Sequence, residues 1–263
     1  MHFRFGYDRR ILSKTTACTG KEKGTSMEKL YIIIPAYNEE ENIRQVIDDW
    51  YPIVEAHNGD GESRLVIIDD GSKDSTFKIM QECAESRPLF LPLTKPNEGH
   101  GATVLYGYHY ALEHDADFIF QTDSDRQTLP SEFEPFWDQR EQFDMVIGWR
   151  NNRQDGISRI IVTKVLKLVI RLCFGVTVTD ANTPYRLMKA STLIEHIGMI
   201  PEGFNLSNVI LSVIYAKKSL KVKYIPITFR PRQGGINSIN LKRIFEIGRQ
   251  ALKDFWRINK TLR

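Results

Sequence analysis

Short apolar runs alternate along the chain with longer segments in which apolar residues recur at helical spacing. The apolar runs have the length of strands and lie at residues 30–35, 65–68, 90–93, 118–122 and 145–148. The helical patterns lie at residues 39–54, from Ser72 or Asp74 to about residue 85, and at 101–114. Strands that are apolar throughout and separated by helices are typical of a parallel sheet covered on both faces. The pattern therefore predicts an α/β fold with a mostly parallel sheet.

The two ends of the chain differ from this pattern. Residues 1–26 are polar and basic and lack the apolar centre of a secretory signal. We expect them to be a disordered extension, or the native chain to start at Met27, directly before the first strand. Residues 27–240 are predicted to form one domain, and residues 241–263 an amphipathic helix that covers the sheet or lies at a membrane.

Composition excludes several classes of protein. Of the 263 residues, 41% are hydrophobic and 26% charged, unlike disordered chains, collagen or coiled coils. Cys18, Cys83 and Cys173 are too few and too widely spaced for a disulfide scaffold or a CxxC metal site, and they suit a reducing cytosol. No apolar stretch reaches the roughly 18 residues of a membrane-spanning helix. We expect a cytoplasmic protein with no transmembrane helix.

Charge is distributed unevenly between the two parts of the chain. Residues 1–149 carry 15 Lys and Arg against 27 Asp and Glu, a net charge of −12, whereas residues 150–263 carry 21 against 6, a net charge of +15. The acidic part predicts a bound cation, and the basic part predicts anionic ligands or a membrane surface. The alternative is that the two parts simply attract each other.

Polar motifs follow three of the predicted strands: PAYNE (35–39), DDGS (69–72) and DSD (123–125). In open α/β sheets, ligands bind at the carboxyl ends of the strands. Carboxylates gathered there repel one another unless a cation compensates, and a divalent cation completed by phosphate oxygens is the simplest solution. The alternative is that these residues only cap helices. The sequence has no P-loop, no GxGxxG after the first strand, no GxSxG and no HExxH motif, which excludes the corresponding sites.

Together these motifs resemble the family 2 glycosyltransferases of GT-A fold, and within them the dolichol-phosphate mannose synthases and other polyprenyl-phosphate sugar transferases. The matching segments lie between residue 30 and about residue 244: IIIPAYNEEENI (32–43), VIIDDGSKDST (66–76), NEGHGA (97–102), DSDRQTLP (123–130), MVIGWR (145–150), DANTPYR (180–186) and VKYIPITFRPRQGGINS (222–238). The resemblance implies inverting, metal-dependent transfer of a sugar from a UDP- or GDP-sugar to a polyprenyl phosphate.

The resemblance also implies which residues form the donor site. The nucleotide sugar would be bound by Pro35, Tyr37, Glu39, Asp69 or Asp70, Gly101 and Asp123. Mg²⁺ or Mn²⁺ would be held on the diphosphate by Asp123, Asp125 and Gln127, with Asp125 as a catalytic residue. Such a metal neutralises the charge that develops on the leaving nucleoside diphosphate.

On the acceptor side, the resemblance implies basic residues. A phosphate acceptor is already anionic near neutral pH, so it needs positioning and charge screening and no deprotonation. The implied phosphate ligands are Arg150, Arg159, Thr163 and Arg232, and the candidate catalytic residues on this side are Arg150, Arg159, Asp180 and Arg186.

Two other functions stay open on the sequence. A family 2 enzyme of cell-surface polysaccharide synthesis would act on a saccharide and need a carboxylate base, for which Asp180 is the candidate outside the donor motifs. A catalytically silent nucleotide-sugar-binding protein is the third possibility, and the intact Asp-x-Asp-x-Gln pattern argues against it. No feature predicts a nucleic-acid partner.

The chain departs from the family pattern at three places. Residues 182–186 read Asn-Thr-Pro-Tyr-Arg where Thr-Ser-Gly-Phe-Arg is usual, His100 replaces a Lys or Arg, and Ile239 replaces a Lys. These changes concern the identity of the acceptor more than the donor chemistry.

A predicted helix at residues 157–173 indicates where the chain could meet a membrane. Lys164, Lys167 and Arg171 recur on one stripe of the helix, and most other positions are apolar. The pattern is typical of a helix on a membrane surface, and equally of a core or dimer helix whose basic stripe faces solvent. We expect peripheral attachment to the inner face of the membrane or to a membrane partner protein.

Overall fold

The computed structural model describes residues 28–59, 62–150, 157–201, 203–230 and 254–259. Its strands are β1 (Leu30–Ala36), β2 (Arg64–Asp69), β3 (Phe90–Thr94), β4 (Phe118–Gln121), β5 (Met145–Arg150), β6 (Arg186–Lys189) and β7 (Val222–Ile227). They form one sheet in the order β3-β2-β1-β4-β6-β5-β7, in which β6 alone runs antiparallel to its neighbours. The predicted α/β fold with a mostly parallel sheet is confirmed.

The five predicted strands correspond to β1–β5, with ends that differ by at most two residues. The sequence pattern missed β6 and β7. Strand β6 is only four residues long and has a basic residue at each end, Arg186 and Lys189, so it lacks an apolar run. Strand β7 contains Pro226 and pairs only with β5, which places the proline on an edge strand where it is tolerated.

The helices are α1 (Ile43–Ala56), α2 (Thr76–Ala84), α3 (His100–Glu113), α4 (Glu134–Trp137), α5 (Ile157–Phe174), α6 (Ala190–His196) and α7 (Ser207–Lys217). Helix α1 starts four residues later than the pattern predicted. Residues 39–42 form turns instead, in which the backbone N–H groups of Asn42 and Ile43 both donate to the carbonyl oxygen of Glu39.

The helices form one layer on each face of the sheet. Ile33 of β1 packs into the layer that contains α3, α5, α6 and α7, whereas Ile32 and Ile34 pack against α1, α2 and α4. This alternation follows from the two-residue period of a strand. Helix α3 lies very close to β1. A Cβ atom added at Gly107 would lie only 2.3 Å from the Ile33 side chain, so glycine is needed at this position.

The predictions for the chain ends fall largely outside the described residues. This holds for the extension at residues 1–26 and for most of the C-terminal helix at 241–263; residues 254–259 are helical. In that segment the Phe255 ring packs 5.3 Å from the ring of Phe174 at the end of α5. None of the described helices combines the length and the hydropathy needed to cross a membrane.

The register of the sheet brings the three polar motifs to one edge. Ala36 of β1 pairs with Asp69 of β2, and Asp69 in turn pairs with Thr94 of β3. On the other side of β1, Thr122 directly follows β4, and its N–H donates to the carbonyl oxygen of Ile33 in β1. The loops after β1, β2, β3 and β4 therefore start side by side.

Candidate active site

Reciprocal hydrogen bonds join the loop after β1 to the loop after β2. The N–H of Asn38 donates to Ser72 Oγ (2.9 Å), and the N–H of Lys73 donates to Asn38 Oδ1 (2.8 Å). Asn38 adopts φ +53°, a left-handed conformation that asparagine tolerates. These contacts fix the backbone at Asn38, directly after Tyr37, whose side chain is 42% exposed.

The other two residues assigned to nucleotide binding in this loop are buried. Glu39 accepts a hydrogen bond from Asn42 Nδ2 (2.9 Å), and its N–H donates to Thr76 Oγ1 (2.8 Å). Pro35 lies within β1 and is also buried. Both residues shape the loop, and Tyr37 is the member of this motif that is open to a ligand.

The two aspartates of DDGS have different partners. Asp69 is 2% exposed and accepts one hydrogen bond on each carboxylate oxygen, from the N–H of Ser72 (3.1 Å) and from Thr94 Oγ1 (2.8 Å). Each oxygen therefore keeps a free lone pair.

Asp70 holds the loop that precedes α3. Its carboxylate receives Lys95 Nζ (2.6 Å) and the N–H groups of Glu98 (3.0 Å) and Gly99 (2.9 Å). Burial raises the pKa of Asp70, but these donors more than offset burial, and the pKa lies below its usual range. The carboxylate of Asp70 is thus engaged by donors of the chain itself.

The glycines of the loop before α3 permit close packing. Gly99 has φ +94°, which side chains other than glycine rarely adopt. A Cβ atom at Gly101 would lie 2.4 Å from the carbonyl oxygen of Asn205 and 2.5 Å from that of Phe204. Gly101 therefore lets the start of α3 lie against the loop before α7, which explains the glycine without a ligand contact.

His100, the first residue of α3, contacts the loop between β4 and α4 that carries the predicted metal ligands (residues 122–133, here called the metal loop). Its Nε2 atom lies 2.9 Å from Asp123 Oδ1, and the ring is half exposed. Desolvation lowers the pKa of His100, but the negative charges of Asp123, Asp125 and Asp70 outweigh it and raise the pKa above its ordinary value. The neighbouring carboxylates therefore favour the cationic form of the His100 ring.

Gln127 is almost fully buried and bonds both to Asp125 in its own loop and to Arg230 after β7. Its N–H donates to Asp125 Oδ1 (3.1 Å), which closes the turn around Arg126 (φ +57°). Its side-chain Nε2 donates to the carbonyl oxygen of Arg230 (2.7 Å), and its own carbonyl oxygen accepts the N–H of Arg230 (2.8 Å). With the amide nitrogen engaged, the amide oxygen is the part of the side chain left for a cation.

The donor set of this loop fits a magnesium or manganese ion bound together with a phosphate. In the described part of the chain, no three His, Cys, Asp or Glu side chains are grouped to hold a metal on their own. Asp123, Asp125 and Gln127 offer two carboxylates and an amide oxygen, and such cations commonly use one or two carboxylates and take further ligands from substrate phosphates.

Arg150 at the end of β5 and Asp180 form a bidentate ion pair. Arg150 Nε lies 3.0 Å from Asp180 Oδ2, and a terminal nitrogen lies 2.9 Å from Oδ1. Both side chains are largely buried. The guanidinium also stacks on the ring of Phe229, 5.1 Å from its centroid. Asp180 is thus the partner of an arginine.

The structure corrects the assignment of Arg186 as a catalytic residue. Arg186 is completely buried at the start of β6, and its guanidinium donates to the carbonyl oxygens of Thr183, Asn208 and Ala181. It also contacts Ser212 Oγ. With its donors committed to the protein core, Arg186 connects β6 to α7 and cannot reach an acceptor phosphate.

The remaining acceptor candidates lie on or beyond α5. Thr163 is half-buried on this helix. The Arg159 side chain and Arg232 lie outside the described residues, so their roles stay predictions. On the same helix Val165, Leu168 and Leu172 are 54%, 57% and 75% exposed.

Sequence reasoning missed two residues of the site. It gave Lys95 no role, because only the tertiary structure brings its ammonium group to Asp70. It also treated Phe229 as part of a motif without a function, although the ring lies under Arg150. A Lys followed by Pro-Asn-x-Gly after a strand was the available signal for the first, and there was none for the second.

Comparison with known proteins assigns this site to a family. The family model described as "Glycosyl transferase family 2" matches residues 31–197. Two relatives carry the same name, undecaprenyl-phosphate 4-deoxy-4-formamido-L-arabinose transferase. The protein from Proteus mirabilis is 29% identical over 157 residues, 59% of this chain and 47% of the relative. The protein from Salmonella choleraesuis is 26% identical over 231 residues, 84% of this chain and 65% of the relative. The chain thus spans about half to two thirds of these relatives.

Solved structures share the fold at low sequence identity. Glucosyl-3-phosphoglycerate synthase from Mycobacterium tuberculosis, in complex with Mn²⁺, UDP-glucose and phosphoglyceric acid, matches with a TM-score of 0.64 and 18% identity. The match covers 89% of this chain and 80% of that one. The same enzyme in complex with UDP matches with a TM-score of 0.62 and 17% identity, over 92% and 87% of the two chains.

Proposed function

The chain belongs to glycosyltransferase family 2, and we propose that it moves a sugar from a nucleoside diphosphate to a polyprenyl phosphate. The observation that carries this choice is the pairing of Arg150 with Asp180. A saccharide acceptor needs a free carboxylate as base. The candidate base, Asp180, has both carboxylate oxygens bound to Arg150. A phosphate acceptor needs a cation. Arg150 bonds to Asp180 through Nε and one terminal nitrogen, so its other terminal nitrogen is the group that we assign to the phosphate. The names of the relatives, which specify undecaprenyl phosphate, support the same acceptor class.

In the proposed reaction, an oxygen of the acceptor phosphate attacks the anomeric carbon of the donor sugar. The bond from that carbon to the diphosphate breaks, and the nucleoside diphosphate leaves with the electron pair. One displacement of this kind inverts the configuration at the anomeric carbon. No proton needs to be removed from the acceptor, which agrees with a site whose acceptor side is basic.

The donor would lie across the ends of β1, β2 and β4. Tyr37 is exposed and offers a ring for stacking on the base. Asp69 keeps free lone pairs for a base N–H, whereas Asp70 is occupied by Lys95 and the loop before α3. Base recognition is therefore assigned to Asp69.

Asp123, Asp125 and Gln127 would hold Mg²⁺ or Mn²⁺ on the diphosphate. When bound, this metal neutralises the charge that develops on the leaving group. His100 Nε2 contacts Asp123 Oδ1 at 2.9 Å, beside these metal ligands. The structural neighbour in complex with Mn²⁺, UDP-glucose and phosphoglyceric acid supports a divalent cation in this fold.

Helix α5 would attach the enzyme to the membrane that contains its acceptor. One face of α5 packs on the core through Ile170 and Phe174. Val165, Leu168 and Leu172 on the rest of the helix are exposed. Lys167 and Arg171 are exposed beside them. Apolar side chains flanked by cations suit the surface of an anionic bilayer.

A transfer assay tests the proposed function. The protein is incubated with undecaprenyl phosphate in detergent and a panel of labelled UDP- and GDP-sugars, with Mn²⁺ or with EDTA. We expect one donor to transfer label into the lipid phase in the presence of metal only. Label that enters a saccharide acceptor instead would support a polysaccharide synthase. Nucleotide binding without turnover on any acceptor would support a silent binding protein.

A further inference from the structure

Residues 228–230, which directly follow β7, are attached to the predicted metal loop at two points. The N–H of Arg230 donates to the carbonyl oxygen of Gln127 (2.8 Å). The carbonyl oxygen of Arg230 accepts a hydrogen bond from the side-chain Nε2 of Gln127 (2.7 Å). The N–H of Thr228 donates to both carboxylate oxygens of Glu132, at 3.0 Å each. The 228–230 segment therefore keeps a defined position relative to the metal loop.

Phe229 lies between these two attachment points and contacts Arg150. The guanidinium lies 5.1 Å from the centroid of the ring, within the range of a cation–π contact. On another side the guanidinium is held by both carboxylate oxygens of Asp180. Arg150 is thus fixed by an anion and by an aromatic face, and the aromatic face belongs to the segment that the metal loop holds.

We infer that the 228–230 segment sets the position of Arg150 relative to the metal loop, with Gln127, Glu132 and Phe229 as positioning residues. The inference rests on the proposed function, in which the acceptor phosphate lies at Arg150 and the donor diphosphate at the metal loop. Holding both anions at a fixed separation lowers the entropic cost of bringing the reacting atoms together. Gln127 then has two roles, because its amide nitrogen holds the segment while its amide oxygen would bind the cation.

The experiment measures the KM of each substrate in variants that loosen the segment. Phe229→Leu removes the aromatic face and keeps an apolar side chain, and Glu132→Ala removes the partner of Thr228. Both variants should raise the KM for undecaprenyl phosphate roughly tenfold, the size of one lost contact to a charged group. The KM for the nucleotide sugar and the binding of UDP or GDP with Mn²⁺ should change by less than about twofold.

Two controls separate positioning from general stability. Phe229→Tyr keeps the ring and should keep the acceptor KM of the wild type. Glu134→Ala removes an exposed carboxylate of the same region that contacts His57 and not the segment, and it should leave both KM values unchanged. Thermal unfolding of every variant shows which of them fold.

The results separate two failures. If the wild type transfers sugar to undecaprenyl phosphate, and folded Phe229→Leu and Glu132→Ala keep its acceptor KM or raise both KM values equally, the positioning role is wrong and the proposed function stands. If the wild type transfers no sugar to the lipid phosphate, the proposed function is wrong and the inference falls with it.

Discussion

Lys95 donates to Asp70 across 2.6 Å, and both side chains are almost fully buried. The pair joins the end of β2 to the loop that precedes α3. Because Lys95 Nζ also bonds to Glu98 Oε2 and the carbonyl oxygen of Pro96, all three of its protons are used. The ion pair therefore shapes the site and is not a free cation that waits for phosphate.

Replacing Lys95 with Met should lower the free energy of unfolding by about 3 kcal/mol, since it leaves a buried carboxylate without its cation. The double variant Lys95→Met with Asp70→Asn should recover part of the loss. Urea unfolding of the three proteins measures the effect. A single variant as stable as the wild type would show that the pair contributes nothing to folding.

The pH dependence of stability should reveal the same carboxylate. The pKa of Asp70 is lowered in the folded state, so its contribution is complete above the pKa of the unfolded chain, about 3.9. It is lost as the pH falls from about 5 towards the lower folded-state pKa. The difference in unfolding free energy between the wild type and Asp70→Asn should therefore shrink between pH 7 and pH 3.5. A difference that stays constant over this interval would contradict the assignment.

Asp125→Asn should remove most metal-dependent transfer and leave the fold intact. The asparagine keeps an oxygen for the N–H of Gln127, so the turn should persist while the negative charge is lost. Mn²⁺ titration followed by thermal shift should show weaker binding, and circular dichroism should match the wild type. Full activity in Mn²⁺ would mean that the metal site is assigned wrongly.

Arg186→Met should destabilise the protein and have no specific effect on the acceptor. It leaves the buried carbonyl oxygen of Thr183 without its donors, whereas Ser212 Oγ still donates to the carbonyl oxygen of Asn208. One buried acceptor without a partner costs about 2 kcal/mol. Chemical unfolding measures this. A stable variant with a raised acceptor KM would restore Arg186 as a phosphate ligand.

Membrane binding should depend on Lys167 and Arg171. Each cation near anionic lipid contributes about 1 kcal/mol, so changing both to Gln should weaken binding to anionic vesicles roughly thirtyfold at low salt. Leu168→Gln should weaken binding at low and at high salt, because burial of apolar area is insensitive to screening. Vesicle flotation measures both effects.

A control for this measurement lies on the opposite face of the sheet. Arg44 and Lys78 are exposed cations of α1 and α2, and their change to Gln should leave flotation unaffected. Equal losses in both double variants would indicate nonspecific attraction. A wild-type protein that never floats with anionic vesicles would exclude α5 as a membrane surface.

Local sequence determined the central part of the fold. The apolar runs that became β1 and β2 are buried on both faces, as is typical of strands in a parallel sheet covered by helices. Once these strands are parallel, the residues that follow them must meet at one edge. The gathering of PAYNE, DDGS and DSD was therefore predictable from the chain alone.

Only the tertiary structure decided which charged residues of the site are engaged by the protein and which are left for a ligand. Asp69 and Asp70 are neighbours of the same type, and no pattern indicates that Asp70 is used by Lys95, 25 residues away. From the sequence, Arg186 is expected to be a surface cation. In the structure, β6 lies between β4 and β5, and Arg186 at its start is fully buried. Hydrophobic periodicity reports only which face of an element is covered, whereas the partner of a charged side chain depends on segments that are distant in sequence and meet only when the sheet has formed.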